Sequence, residues 1–489
     1  MLRNVLCCCL LVLVALVPLT SEASGARKVA SDHEYLVVFE PGAVKAGEAR
    51  RLIEEAGGTV QRDHLEIGLM AAHSFDPDFA SRLAEHRTVA TVQPDLWVLP
   101  EDAGFRSPVE AAQVRTITAP DAPDIVGRFQ ALRRAAGPDQ AITVTDPTAA
   151  AFFDVLGWSF LPMELPAAWA AGNLGDPEVK VAVLDSGIDY THIDLDGKVD
   201  LDLSRSFVPE DDALLEDLFP GAHPVADLNF HGTVAAGNIA CNALGHACVA
   251  PNVTLVGIKV VDKDYQSTVG RMIAGILYAG AIRADVVNIS YSFFPHLSLD
   301  NPEDRWAVRL MKLAILWARL RGAIVLAEAG VDPNMPFREG IDADADGNDR
   351  IVPAQAGAVV VSGTSVADAF GNFNNFGFSL VDIAAPGGEF PFADFFTTAV
   401  WGPCSSFTTI EAIRFCVDDA PGWVNVAGSI AATANASGVA ALIDSQHGGR
   451  LRGWQIRRQL FRTADDLGDP GVDPFFGVGR VNARRATSE

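Results

Sequence analysis

Two short stretches hold residues that could move a proton. Val179 to Ile188, VKVAVLDSGI, is an apolar run ended by Asp185, Ser186 and Gly187, and further along Phe230-His231-Gly232-Thr233-Val234-Ala235-Ala236-Gly237 puts a histidine at the head of a small-residue helix. Aliphatic and β-branched residues in an unbroken run, closed by Ser and Gly, read as a strand buried on both faces, hence one in a parallel sheet. Reactive groups in such sheets stand just past the carboxyl ends of the strands, where Asp185 falls. A carboxylate there must be hydrogen-bonded or paired, and taken alone it reads as a loop cap. His231 supplies a partner: an imidazole held in one tautomer by a carboxylate can take the proton of a hydroxyl.

The elements that would position this pair follow from periodicity. From about Phe153 strands and helices alternate: strand Val253 to Val260, a helix with Val269, Met272, Ile273, Ile276 and Ala279 on one face, strand Asp285 to Ser290, helix Arg305 to Leu320, strand Ala323 to Ala327. Such alternation predicts a doubly wound parallel sheet, an α/β domain over residues 156–486. Ahead of it, residues 34–98 read as βαββαβ, a small α+β ferredoxin-like unit: strand Glu34 to Phe39, helix Ala46 to Ala56, two strands within Leu65 to Phe75, helix Phe79 to His86 and strand Val89 to Val92. The proline-bearing stretch 99–155 between them reads as a linker with one short helix.

Residues 1–23 have the plan of a secretory signal, with Arg3, an apolar stretch from Val5 to Val17 and the small-x-small site Ser21-Glu22-Ala23. The apolar stretch is too short to span a bilayer, so no membrane association is expected after its removal. Sixty-two acidic against 37 basic residues in 489 give a formal charge of −25, which argues against nucleic acid as a partner. Export leaves Cys241, Cys248, Cys404 and Cys416, and of their three pairings the short loops favour Cys241 with Cys248 and Cys404 with Cys416.

VAVLDSGIDYTHIDL, HGTVAAG, Ala284 to Ser290, Ala384-Ala385-Pro386-Gly387 and the tail from Thr463 to Ala483 together resemble the subtilisin-like serine peptidases, the subtilases. The resemblance runs from about Trp158 to Ala486, and residues 34–98 resemble the family's inhibitory propeptide down to Val92-Gln93-Pro94-Asp95. It implies a subtilisin-like fold, a secreted serine endopeptidase precursor acting on peptide or protein substrates, its own propeptide as a partner, and no required cofactor. Asp185 and His231 fall on two triad positions.

The third position departs from the family. Where a Gly-Thr-Ser opens the nucleophile helix, this chain has Gly428-Ser429-Ile430, and a gapless alignment puts the nucleophile on Ile430, which has neither a transferable proton nor a lone pair. The asparagine that donates to the oxyanion is Val331, and Ser290-Tyr291-Ser292-Phe293 replaces Ser-Leu-Gly-Gly in the substrate cleft, where Asn288, Ser290 and Phe293 are expected and the groove should be narrowed. Gly363-Thr364-Ser365 imitates the nucleophile box but lies on a turn outside it. Loss of an oxyanion donor costs on the order of a hundred- to a thousandfold in turnover and loss of the nucleophile roughly a millionfold, figures that come from a subtilisin itself. Two classes of function follow: a peptidase using Ser429 through a shifted helix start, or a catalytically inactive subtilase-fold protein that binds peptides or acts structurally. Three changes in one cleft favour the second. Asp342, Asp344 and Asp346 alternate ahead of Gly347 like the opening of a calcium loop; Pro353 at the twelfth position excludes an EF-hand, leaving a calcium site completed from elsewhere or a solvated acidic loop.

Overall fold

The computed structural model describes residues 27–99 except 41, 116–118, 124–137, 141–331 except 295, 340–371 except 346, 374–389, 398–411, 415–418 and 421–488. The expected signal segment lies outside the described residues. No helix among the described residues is long and apolar enough to cross a membrane.

Four strands, β1 (Arg27–Phe39), β2 (Thr59–His64), β3 (Leu69–His73) and β4 (Val89–Leu99), form an antiparallel sheet in the order β2-β3-β1-β4. Period-two alternation gives this sheet two apolar faces. Val37, Phe39, Met70 and Ala72 pack against Ile53 of helix Ala46–Glu55 and Leu83 of helix Phe79–Ala84. Leu36, Val38, Leu69, Ala71 and Leu96, on the other face, share a core with helix Val269–Ala281 of the larger unit. The second strand lies earlier than predicted, because Leu65–Ile67 is a 3-10 turn and the polar run Thr59–His64 pairs with β3 instead.

The stretch expected to be a linker holds more than one short helix. Strand β5 (Thr116–Thr118) and a twelve-residue helix, Ile125–Ala136, fall within it. Ile125 inserts among Leu156, Leu244, Trp401 and Trp423, so burial of one apolar residue ties a polar segment down.

The larger unit is built on seven strands: β6 (Lys180–Asp185), β7 (Arg205–Ser206), β8 (Thr254–Lys259), β9 (Val286–Ile289), β11 (Ile324–Glu328), β13 (Val359–Thr364) and β14 (Ile383–Pro386). All pair in parallel, in the order β14-β13-β11-β9-β6-β8-β7, and this is the α/β layering read from the sequence. The ribbon β10 (Leu297–Ser298) with β12 (Asp349–Arg350) lies outside it, as does the antiparallel trio β15 (Val400–Pro403), β16 (Gly422–Val426) and β5. Alternation divides the sheet's side chains between two cores. Ala182, Leu184, Val287, Ile289, Val325 and Ala327 meet helices Val269–Ala281 and Pro302–Arg321. Val181, Val183, Val286, Ile324 and Leu326 meet helices His231–Ile239 and Ser429–Ser445. Helix Ser429–Ser445 is buried from Ser429 to Asp444, which its alanines, serines and glycine permit by letting neighbours approach closely.

Candidate active site

Asp185, Ser290 and Glu328 stand at the carboxyl ends of the adjacent strands β6, β9 and β11, along one edge of the sheet. Asp185 Oδ1 accepts the Ser186 N–H at 2.7 Å and lies 2.8 Å from His231 Nδ1. His231 reaches it because the helix start comes against the strand end: a Cβ on Gly232 would sit 2.1 Å from the Gly187 carbonyl oxygen and 3.0 Å from Asp185 Cβ. Only a residue without a side chain fits there. The helix start is clamped by Asp227, whose carboxylate accepts from the Thr233 N–H at 2.9 Å, the Thr233 hydroxyl at 2.6 Å and the Ser186 hydroxyl at 2.9 Å. Ser186 Oγ in turn accepts the Gly232 N–H at 3.0 Å.

His231 is 3% exposed. Burial disfavours its charge, but Asp185 beside it, with Glu328 and Asp227 farther off, outweighs burial and raises its pKa above the ordinary imidazole value. Nε2, the nitrogen that a nucleophile would address, is 3.0 Å from the hydroxyl of Tyr265, which also donates to the Ser290 carbonyl at 3.1 Å.

Ser429 is fully buried and its hydroxyl donates to Glu328 Oε2 at 3.1 Å. Burial pushes the Glu328 carboxyl up to about 7, against the opposing pull of His231 and of the Ser292 and Ser429 hydroxyls. Ile430 is 7% exposed, and its Cδ1 lies 3.9 Å from where a Cβ on Gly428 would stand, with Val331 Cγ1 3.7 Å from the same point. Both branched side chains thus lie beside the Gly428 turn at the start of the buried helix.

Asn288, Ser290 and Phe293 do not line open surface. The Asn288 amide donates to Ser290 Oγ at 3.0 Å and accepts from Ser437 at 2.9 Å, and the Ser290 hydroxyl donates to the Ile430 carbonyl at 3.2 Å, so the polar pair braces β9 against the buried helix. Phe293, 0% exposed, packs edge-on against Tyr291 with ring centres 5.2 Å apart. Its ring belongs to the core it shares with Tyr291 and helix Val269–Ala281.

Asp342 accepts the Asp344 N–H at 2.9 Å, and Asp344 accepts the Phe378 and Ser379 N–H groups at 2.6 and 3.1 Å. Those bonds, with the Ser379 hydroxyl first among them, hold the Asp344 carboxyl below its usual range. Carboxylates committed to backbone amides suit a loop clamp. Asp346 lies outside the described residues, and among those described no group of three or more His, Cys, Asp or Glu is placed to hold a metal ion. Disulfides join Cys241 to Cys248 and Cys404 to Cys416.

Tyr265 and Glu328 are not among the residues the sequence reading singles out. Glu328 had a signal, since it closes an apolar strand just as Asp185 does. Tyr265 had none, because its approach to His231 depends on a turn in which it adopts φ +60°.

A parallel α/β sheet with an aspartate at a strand end in contact with a helix-borne histidine, in that chain order, has the layout of a subtilisin-like fold. A family model described as the subtilase family matches residues 176–479, and the chain belongs to that family. It is 28% identical over 319 residues to a thermophilic serine proteinase of Bacillus sp. (strain AK1), a match covering 64% of this chain and 63% of that protein, so less than two thirds of that relative is spanned. Subtilisin E of Bacillus subtilis (strain 168) is also 28% identical, over 354 residues, with 71% of this chain and 76% of the relative covered. Among solved structures, the epidermin leader peptide processing serine protease from Staphylococcus aureus is similar with a TM-score of 0.68 at 17% identity, over 94% of this chain and 98% of that one, a likeness of fold.

Proposed function

We propose that this chain is a secreted subtilase-fold protein whose site no longer hydrolyses peptide bonds, and which engages peptide segments without cutting them or acts structurally. One observation carries the reading: the residue at the nucleophile position, Ile430, has no attacking atom, while the neighbouring hydroxyl of Ser429 is bonded to Glu328 at 3.1 Å and not to His231. Val331 and Phe293 also depart from the family pattern, at the oxyanion position and at a cleft position. In this reading residues 34–98 are an inhibitor-like unit that a silent enzyme cannot remove from itself.

Hydrolysis through Ser429 is the rival reading, and the Ser429–Glu328 contact would be its base. It asks a fully buried hydroxyl to meet a substrate carbonyl. The test is to incubate the purified chain with a fluorophosphonate probe and, separately, with unfolded casein. No covalent label and no cleavage are expected; a label mapped by mass spectrometry to Ser429 would overturn the proposal.

A further inference from the structure

We propose that Tyr265 has taken the nucleophile's place against His231 and keeps both ring nitrogens protonated, so that Asp185 and His231 rest as a sealed ion pair and not as a base. This deepens the reading of a silent site and rests on it.

Hydrogen-bond accounting carries the argument. The phenol has one hydrogen and two partners, the Ser290 carbonyl at 3.1 Å and His231 Nε2 at 3.0 Å. A carbonyl oxygen can only accept, and the one assignment that makes both contacts full hydrogen bonds gives the phenolic hydrogen to Ser290 and leaves the phenol oxygen to accept from an N–H at Nε2. Nδ1 faces the Asp185 carboxylate at 2.8 Å, which also only accepts when ionised. Both nitrogens then carry hydrogen, and the ring is an imidazolium.

The surroundings suit that charge. The titratable groups facing the ring are Asp185 at the end of β6, Glu328 at the end of β11, Asp227 ahead of the helix and Tyr265 itself, three carboxyl groups and a phenol. Burial, followed by the charges of Glu328 and Asp185, drives the phenol's own ionisation well above its ordinary range, so Tyr265 is a poor replacement nucleophile. Its ring sits tilted against the imidazole, with centres 4.4 Å apart, and edge-on to Tyr291, with centres 5.3 Å apart.

Tyr265 is also held in place deliberately. At φ +60° it occupies a conformation that bulky side chains avoid. The turn is tied by the Asp262 carboxylate, which accepts the Asp264 N–H at 2.9 Å and the Gln266 N–H at 2.8 Å, and by the Tyr265 N–H donating to the Asp262 carbonyl at 3.0 Å. A strained backbone that delivers one hydroxyl to the one nitrogen a substrate attack would need is a built-in stopper.

The experiment is nitrogen-15 NMR of the full chain labelled at histidine, comparing the unaltered protein with Tyr265→Phe. At pH 6.5 both ring nitrogens of His231 should be protonated in the unaltered chain, and its titration midpoint should fall by about one pH unit in the variant, the effect of one hydrogen bond to a charged group. A singly protonated ring at pH 6.5, or a midpoint that Tyr265→Phe leaves where it was, overturns the proposal. Should that variant not fold, Tyr265→Gly suits the positive φ and gives the same readout. Fluorophosphonate labelling of Ser429 would sink the silent-site reading, whereas His231 protonation is read independently of it.

Discussion

Buried carboxylates are expensive in their charged form, and Glu328 is the one in this site whose cost can be measured. Its pKa is raised from 4.5 to about 7 by burial, so the folded chain binds that proton more tightly than the unfolded chain does. Stability therefore falls as pH rises across that window and is lowest, as far as this group is concerned, above it. Replacing Glu328 with Gln keeps an acceptor for the Ser429 hydroxyl and removes the charge. The variant should be more stable than the parent at pH 8, by up to roughly 3 kcal/mol, and no more stable at pH 4.5. Urea unfolding of both chains at the two pH values measures it; equal stabilities at pH 8 would mean that the carboxylate is paid for by neighbours or water.

At the scale of elements, the approach of helix His231–Ile239 to the end of β6 decides whether the pair exists at all. Gly232→Ala would drive a methyl to 2.1 Å from the Gly187 carbonyl oxygen, and the backbone cannot give way without moving His231 off Asp185. A loss of about 1–3 kcal/mol in denaturant unfolding is expected, together with loss of the low-field proton signal of the Asp185–His231 hydrogen bond. The same elements explain what could be read from the chain. β6, β8, β9 and β11 announce themselves because a strand covered on both faces has to be an apolar run, and Asp185 is visible because it interrupts one. His231 is legible as the polar head of a helix otherwise made of small residues. β2 is illegible in the sequence because Thr59–His64 shows no apolar alternation, its pairing being dictated by β3. The Ile125–Ala136 helix was hidden by polar surface, and Tyr265 by a backbone conformation that no local pattern foretells for a tyrosine.

Across the whole molecule, the N-terminal sheet is joined to the larger unit by more than the chain between them. Asp95 accepts the Gly270 N–H at 2.9 Å and the Thr268 hydroxyl at 2.8 Å, capping helix Val269–Ala281 from outside, and Arg62 donates to the Phe207 carbonyl at 3.1 Å. One face of the sheet lies in the same apolar core as that helix. The connecting segment is stitched as well: β5 pairs with β16, Asn252 bonds both backbone groups of Val144 at 2.8 and 2.9 Å, and buried Lys198 donates to the Ile142 carbonyl at 2.7 Å. A chain that does not cut itself should accordingly be secreted with residues 34–98 still attached, which N-terminal sequencing of the exported protein would show. If a protease site is inserted between residues 100 and 115 and cleaved, the N-terminal fragment should remain bound through gel filtration. Asp95→Ala removes a helix cap worth about 1–2 kcal/mol, so the nicked variant should release its fragment roughly ten times more readily. A fragment that leaves the unaltered body at once would show that the covalent link, and not the capped helix and shared core, keeps the two units together.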